Sequence, residues 1–111
     1  MGDAEAARRL YKQVGELMYR MKDMYMLPYL PLHFSMIALE EGKLDRAVKL
    51  LGASEVLFES SGMVPDPDER VGRDRTVSRL REEVDQNTFR KQWAEGRRLS
   101  LEQVVQYAFE S

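Results

Sequence analysis

Gly42 is the feature that most restricts what this chain can fold into. Before it, Phe34, Ile37, Ala38 and Glu41 fall on helical spacing; after it, Leu44, Ala47, Val48, Leu51 and Phe58 form a second apolar stripe. Both stripes repeat with the 3.6-residue period of an α-helix, so a glycine between them predicts a helical hairpin. No alternating apolar and polar run, the mark of a half-buried strand, occurs elsewhere. The expected fold is all-α.

The flanking segments extend that reading. Ala7, Leu10, Val14, Leu17 and Met21 recur at spacings of three and four behind Asp3, a suitable cap. They predict an amphipathic helix over about residues 4–23. Pro28 and Pro31 then interrupt the chain, with Pro31 suited to the first turn of a second helix over about 29–41. Tyr29, Leu30, Leu32, Phe34, Met36, Ile37, Ala38 and Leu39 make that helix apolar on nearly all sides, as expected of one packed between neighbours. Gly62 is placed to end the third helix. Asp66 as cap and Pro67 at the first position open a charged fourth helix over about 67–84, whose apolar line is only Val71, Val77, Leu80 and Val84. Asp85 or Asn87 can cap a fifth helix that carries Phe89 and Trp93 and ends near Gly96. Ser100 and Gln103 form a capping box before Leu101, Val104, Val105 and Ala108, the apolar face of a sixth.

Composition removes several classes of function. The 111 residues contain no cysteine, which excludes a disulfide framework and a thiolate metal site. Seventeen basic and nineteen acidic residues leave a net charge of −2, which argues against a general electrostatic grip on nucleic acid or anionic lipid. No apolar run approaches the roughly 20 residues that span a bilayer, and the opening Met-Gly-Asp-Ala-Glu is not a signal peptide. A soluble, cytoplasmic chain is expected, with no membrane contact.

Few side chains suggest chemistry. His33 is the single histidine, too little for a typical zinc site, and Asp66, Asp68 and Glu69 lack the glycine and terminal glutamate of a calcium loop. No nucleophile is placed beside a base and no glycine-rich phosphate loop occurs, so neither an enzyme nor a cofactor is expected. Met18, Met21, Met24, Met26 and Met36 cluster around the prolines with Tyr25 and Tyr29. Methionines suit either a core or an adaptable apolar surface, and Met18, Met21, Tyr25, Tyr29 and Met36 are the candidate interaction or ligand surface. Arg70, Arg73, Arg75, Arg79 and Arg81 could form an anion patch, but Glu69, Asp74, Glu82 and Glu83 interleave with them, as on a solvated face. Gly42, Ala47 and Trp93 are the candidate structural anchors.

A shift of 40 positions superposes Gly2 on Gly42, Ala7 on Ala47, Leu10 on Leu50, Leu17 on Leu57 and Met18 on Phe58, so the first and third helices read as one structural part used twice. The glycine, large residue and alanine at Gly42, Leu44 and Ala47 resemble the tetratricopeptide-repeat family. A closer likeness covers about residues 33–109. Ala38-Leu39-Glu40-Glu41-Gly42, Arg46 to Glu55, Trp93 to Arg97 and Leu99 to Val105 are similar to the C-terminal helical-repeat end of large bacterial signalling and transcriptional regulators, in which such tails follow ATPase, kinase or cyclase modules, often with a LuxR-type DNA-binding domain.

The resemblance implies tetratricopeptide-like antiparallel hairpins, about six helices in all, with a C-terminal helical cap. It divides one domain, expected to belong to a larger regulator, into a half repeat (1–27), a complete hairpin (28–62) and a cap (63–111). It also implies a non-catalytic scaffold that binds a protein, a peptide or neighbouring domains, and self-associates through the face left by the half repeat. The alternative is a small-molecule sensor with a Met- and Tyr-lined pocket; DNA binding through the fourth helix is a third reading.

Overall fold

A computed structural model of the chain describes residues 2–20 and 27–109. Six helices follow one another: α1 (Gly2–Arg20), α2 (Tyr29–Glu40), α3 (Leu44–Ser61), α4 (Pro67–Glu83), α5 (Gln86–Arg97) and α6 (Leu101–Phe109). No strand occurs among the described residues, and the fold is all-α.

Local hydrogen bonding accounts for most of the boundaries. Gly42, at φ 75°, ends α2: its N–H donates to Leu39 O and that of Lys43 to Ala38 O. Gly62, at φ 71°, repeats the device for α3, with its own N–H on Glu59 O and that of Met63 on Phe58 O. Left-handed backbone costs glycine little, so both turns fall where the sequence has that residue. Asp85 caps α5, its carboxylate accepting from Asn87 N at 3.1 Å and Thr88 N at 3.2 Å. The box before α6 forms as expected, Ser100 N donating to Gln103 Oε1 at 2.9 Å and Gln103 N to Ser100 Oγ at 3.2 Å.

Three expected start or stop devices differ, while the helix ends concerned fall within about two residues of those expected. Helix α1 begins at Gly2, so Asp3 lies inside it. Asp66 stands at the cap position of α4, but its side chain makes no cap bond; its backbone N–H instead donates to Tyr29 Oη at 3.0 Å, tying the start of α4 to α2. Helix α5 ends near Gly96 as expected, at Arg97, but Gly96 is buried inside the helix and is not its stop. A methyl group at Gly96 would fall on the Lys49 carbonyl oxygen and lie 3.0 Å from Ala53 N, and one at Gly52 would fall on the Trp93 carbonyl oxygen. The two glycines are where α3 and α5 cross with their backbones in contact.

Helix α3 is the hub: it packs most extensively on α5 and then on α2, whereas α4 and α5, consecutive in sequence, touch only briefly. One apolar cluster joins Tyr29, Leu32, Leu39, Ala47, Val48, Leu51, Phe58, Leu80 and Phe89, with Met36 and Trp93 against it. A second joins Leu30, Phe34, Ile37, Leu50, Val105 and Ala108, seating α6. Helix α2 feeds both clusters from opposite sides, which is why it is apolar around its circumference. The Arg46 guanidinium holds the end of α6 by donating to Tyr107 O at 2.8 Å and Ala108 O at 3.1 Å, satisfying carbonyls that a helix C-terminus leaves open. In the middle of α3, the buried Ser54 hydroxyl has no hydrogen-bond partner. Ser35, equally buried, donates to Leu32 O at 2.6 Å.

Candidate functional site

The last turns of α3 place Glu55 and Glu59 four residues apart on one face, while Phe58 turns inward, its ring edge-on to that of Tyr29 at 5.1 Å. The Gly62 turn then reverses the chain, so that Met63, Val64 and Pro65 run back beside α3 before Pro67 starts α4. Helix α4 supplies Arg70, Arg73 and Asp74 as the facing wall. Between these segments lies an open cleft of about 410 Å³, with an apolar floor of Phe58, Met63, Val64 and Pro65 and charges on its rim. Val64 is 67% exposed.

The rim charges are organised by α5. Arg97 donates to Glu55 Oε1 at 2.5 Å, and its two terminal nitrogens reach Glu59 at 3.1 and 2.9 Å, a forked contact from α5 to α3. Arg73 reaches the other oxygen of Glu55 at 3.4 Å and Asp74 at 3.3 Å. Glu55 thus links α4 and α5, which meet little directly. The hydrogen bond from Arg97 holds the Glu59 carboxyl below its ordinary value, against an opposing effect of desolvation, and the Glu59 bond correspondingly raises Arg97. Arg70 is exposed and takes part in no ion pair among the described residues. The rim therefore offers one uncommitted cation beside an apolar floor, while its carboxylates already have cationic partners. Such a lining suits an apolar side chain of a binding segment with an acidic neighbour.

A second depression of about 440 Å³ lies between the end of α4 and the start of α5, lined by Arg81, Val84, Gln86, Phe89 and Arg90, with the Arg81 guanidinium 4.7 Å from the centre of the Phe89 ring.

Of the five residues singled out from the sequence as an interaction surface, the structure describes the side chains of Tyr29 and Met36. Met21 and Tyr25 lie outside the described residues, as does the side chain of Met18. Tyr29 is buried in the first cluster. Met36, half-buried, packs between α2 and α4, its terminal methyl 3.0 Å from where a Cβ on Gly72 would stand. Both of these described members thus pack helices together. Ala47 is fully buried between α3 and its neighbours, and Trp93 stacks on Phe89 at 5.5 Å in the first cluster, whereas α6 belongs to the second. His33 pairs with Glu69 at 2.8 Å, linking α2 to α4. Among the described residues no group of three histidine, cysteine or acidic side chains gathers in a way that could hold a metal. Arg79 pairs with Glu83 and Arg73 with Glu55 and Asp74, while Arg81 lies over the Phe89 ring and Arg70 and Arg75 are exposed.

The cleft was missed by reasoning from sequence because Glu55 and Arg97 are 42 positions apart. The readable hint was the pair Glu55 and Glu59 on the polar side of an otherwise apolar helix, since two acids four residues apart invite a shared cation. In comparisons with known protein families, curated proteins and solved structures, none matches this chain.

Proposed function

We propose that this chain is a non-catalytic protein-interaction or regulatory module, and that the α3–α4 cleft is the seat for a peptide segment of its partner. The observation that carries the reading is the solvent-open apolar floor of Phe58, Met63, Val64 and Pro65, flanked by an Arg70 with no ion pair among the described residues. A segment with an apolar residue followed or preceded by an acid would bury the one on the floor and pair the other with Arg70. The glycine, leucine and alanine at positions 42, 44 and 47 and the Trp93 to Val105 stretch support a tetratricopeptide-like module at the C-terminal end of a bacterial signal-transduction or transcriptional regulator, working in the cytoplasm.

The test is selection of binders from a random peptide library displayed on phage, followed by affinity measurement on purified chain. Enriched peptides are expected to share an apolar residue next to Asp or Glu. Val64→Asp should weaken them at least about tenfold, equivalent to about 1.4 kcal/mol. Selected peptides whose affinity is indifferent to Val64→Asp, or a library that yields none, would remove the cleft as a binding site.

A further inference from the structure

Helix α1 leaves part of its apolar side uncovered. One side packs on α2 and α6, with Ala7 against the second cluster and Arg8 paired with Glu41. Leu10 and Leu17, by contrast, are each 56% exposed. Seven residues is two helical turns, so the two leucines stand on one stripe, with exposed Ala6 and Gln13 beside them. Arg9 and Glu16, each immediately before one of the leucines, are exposed on the same flank, and neither takes part in an ion pair among the described residues. The surface therefore carries the pattern Arg-Leu, then five residues, then Glu-Leu, with opposite charges at its two ends.

That pattern is complementary to itself when turned end for end. We propose that α1 is a self-association surface: two copies of this chain pair their α1 helices antiparallel about a two-fold axis near Gln13, burying Leu10 and Leu17 of both. In an antiparallel pair, like flanks face each other, so Arg9 of each copy meets Glu16 of the other, giving two symmetric ion pairs on either side of the axis. In a parallel pairing Arg9 would face the opposite flank of its partner, that of Ala7, and would not meet Glu16. The 19 residues of α1 extend about 28 Å, and two leucines per chain bury little area, so the dimer is a weak one, with Kd on the order of 10 to 100 μM. None of these residues lines the α3–α4 cleft, so the dimer stands or falls independently of peptide binding.

Sedimentation equilibrium over chain concentrations up to about 1 mM, well above that Kd, tests the proposal. The native chain should show a reversible monomer–dimer equilibrium. Arg9→Glu alone and Glu16→Arg alone each set like charges across the axis and should weaken association at least tenfold, with helicity unchanged by circular dichroism. An equimolar mixture of the two single variants should form a heterodimer, and the double variant R9E/E16R should dimerise as the native chain does. A native chain that stays monomeric throughout would overturn the proposal and leave the stripe to a different partner or an adjoining segment. Dimerisation that ignores the charge reversals would overturn the antiparallel α1 geometry.

Discussion

At Gly52 and Gly96 the absence of a side chain decides how α3 meets α5. An alanine in a helix interior is ordinarily better than glycine by about 1 kcal/mol, because glycine loses more backbone freedom on folding. At Gly96 the added methyl would meet the Lys49 carbonyl, a backbone atom that cannot swing aside, so the two helices would have to separate along their largest contact. Overpacking of this kind costs about 1–3 kcal/mol. Gly96→Ala should therefore lower stability despite its helix propensity, with Tm falling about 4 to 8 °C per kcal/mol in a domain of this size. A rise in Tm on thermal unfolding would show that α3 and α5 do not cross here. The same residue explains a misreading. A glycine near the end of an apolar pattern signals a helix stop when the chain needs φ > 0, and a close crossing when a neighbour's backbone fills the space of its Cβ. The first cause is local and the second depends on a partner 47 positions away, so Gly42 and Gly62 were legible in the sequence and Gly96 was not.

Among the elements, the boundaries that could be read in advance are those set by neighbouring residues: the glycine stops of α2 and α3, the Asp85 cap and the Ser100–Gln103 box. Asp66 holds the cap position that its sequence indicates, but its side chain makes no cap bond, and its backbone N–H donates to Tyr29 on another helix. The cleft lies on the same divide, since its rim is made by α3, α4 and α5 together and its interhelical arginine-carboxylate links span 18, 38 and 42 positions. That rim has a pH signature. Arg97 depresses the Glu59 carboxyl in the folded state, so the contribution of this pair is fully present above the ordinary carboxylate value of 4.5 and is lost as pH falls through the lower folded value. Urea unfolding of the native chain and of Arg97→Gln, compared between about pH 6 and about pH 3, isolates the effect. The gap in midpoint should be constant at the upper end and close below 4.5; a gap that stays constant to the lowest pH would mean that the Arg97–Glu59 bond is not kept in solution.

For the molecule as a whole, the apolar periodicities established that the chain is helical, and the all-round apolar α2 showed that something must cover it on every side. What covers it, one cluster towards α4 and α5 and another towards α6, follows from three-dimensional packing around α3 that no window of sequence records. The radius of gyration of 12.9 Å is that of a single compact domain, for which about 13 Å is expected at this length. No helix among the described residues is long and apolar enough to cross a membrane. Tyr29 and Met36 are committed to packing around this hub, and the α3–α4 cleft is the surface we propose for recognition of a partner peptide.

The most direct test of that assignment is a two-dimensional amide and methyl NMR titration of the isotope-labelled chain with a selected acidic-apolar peptide. Saturating shifts are predicted at Met63, Val64, Arg70 and Arg73, with the Met36 methyl and the amides of α6 unmoved. Shifts centred on Met36 and Tyr29, with Val64 and Arg70 silent, would contradict it and return the binding surface to the methionine-rich end of the molecule.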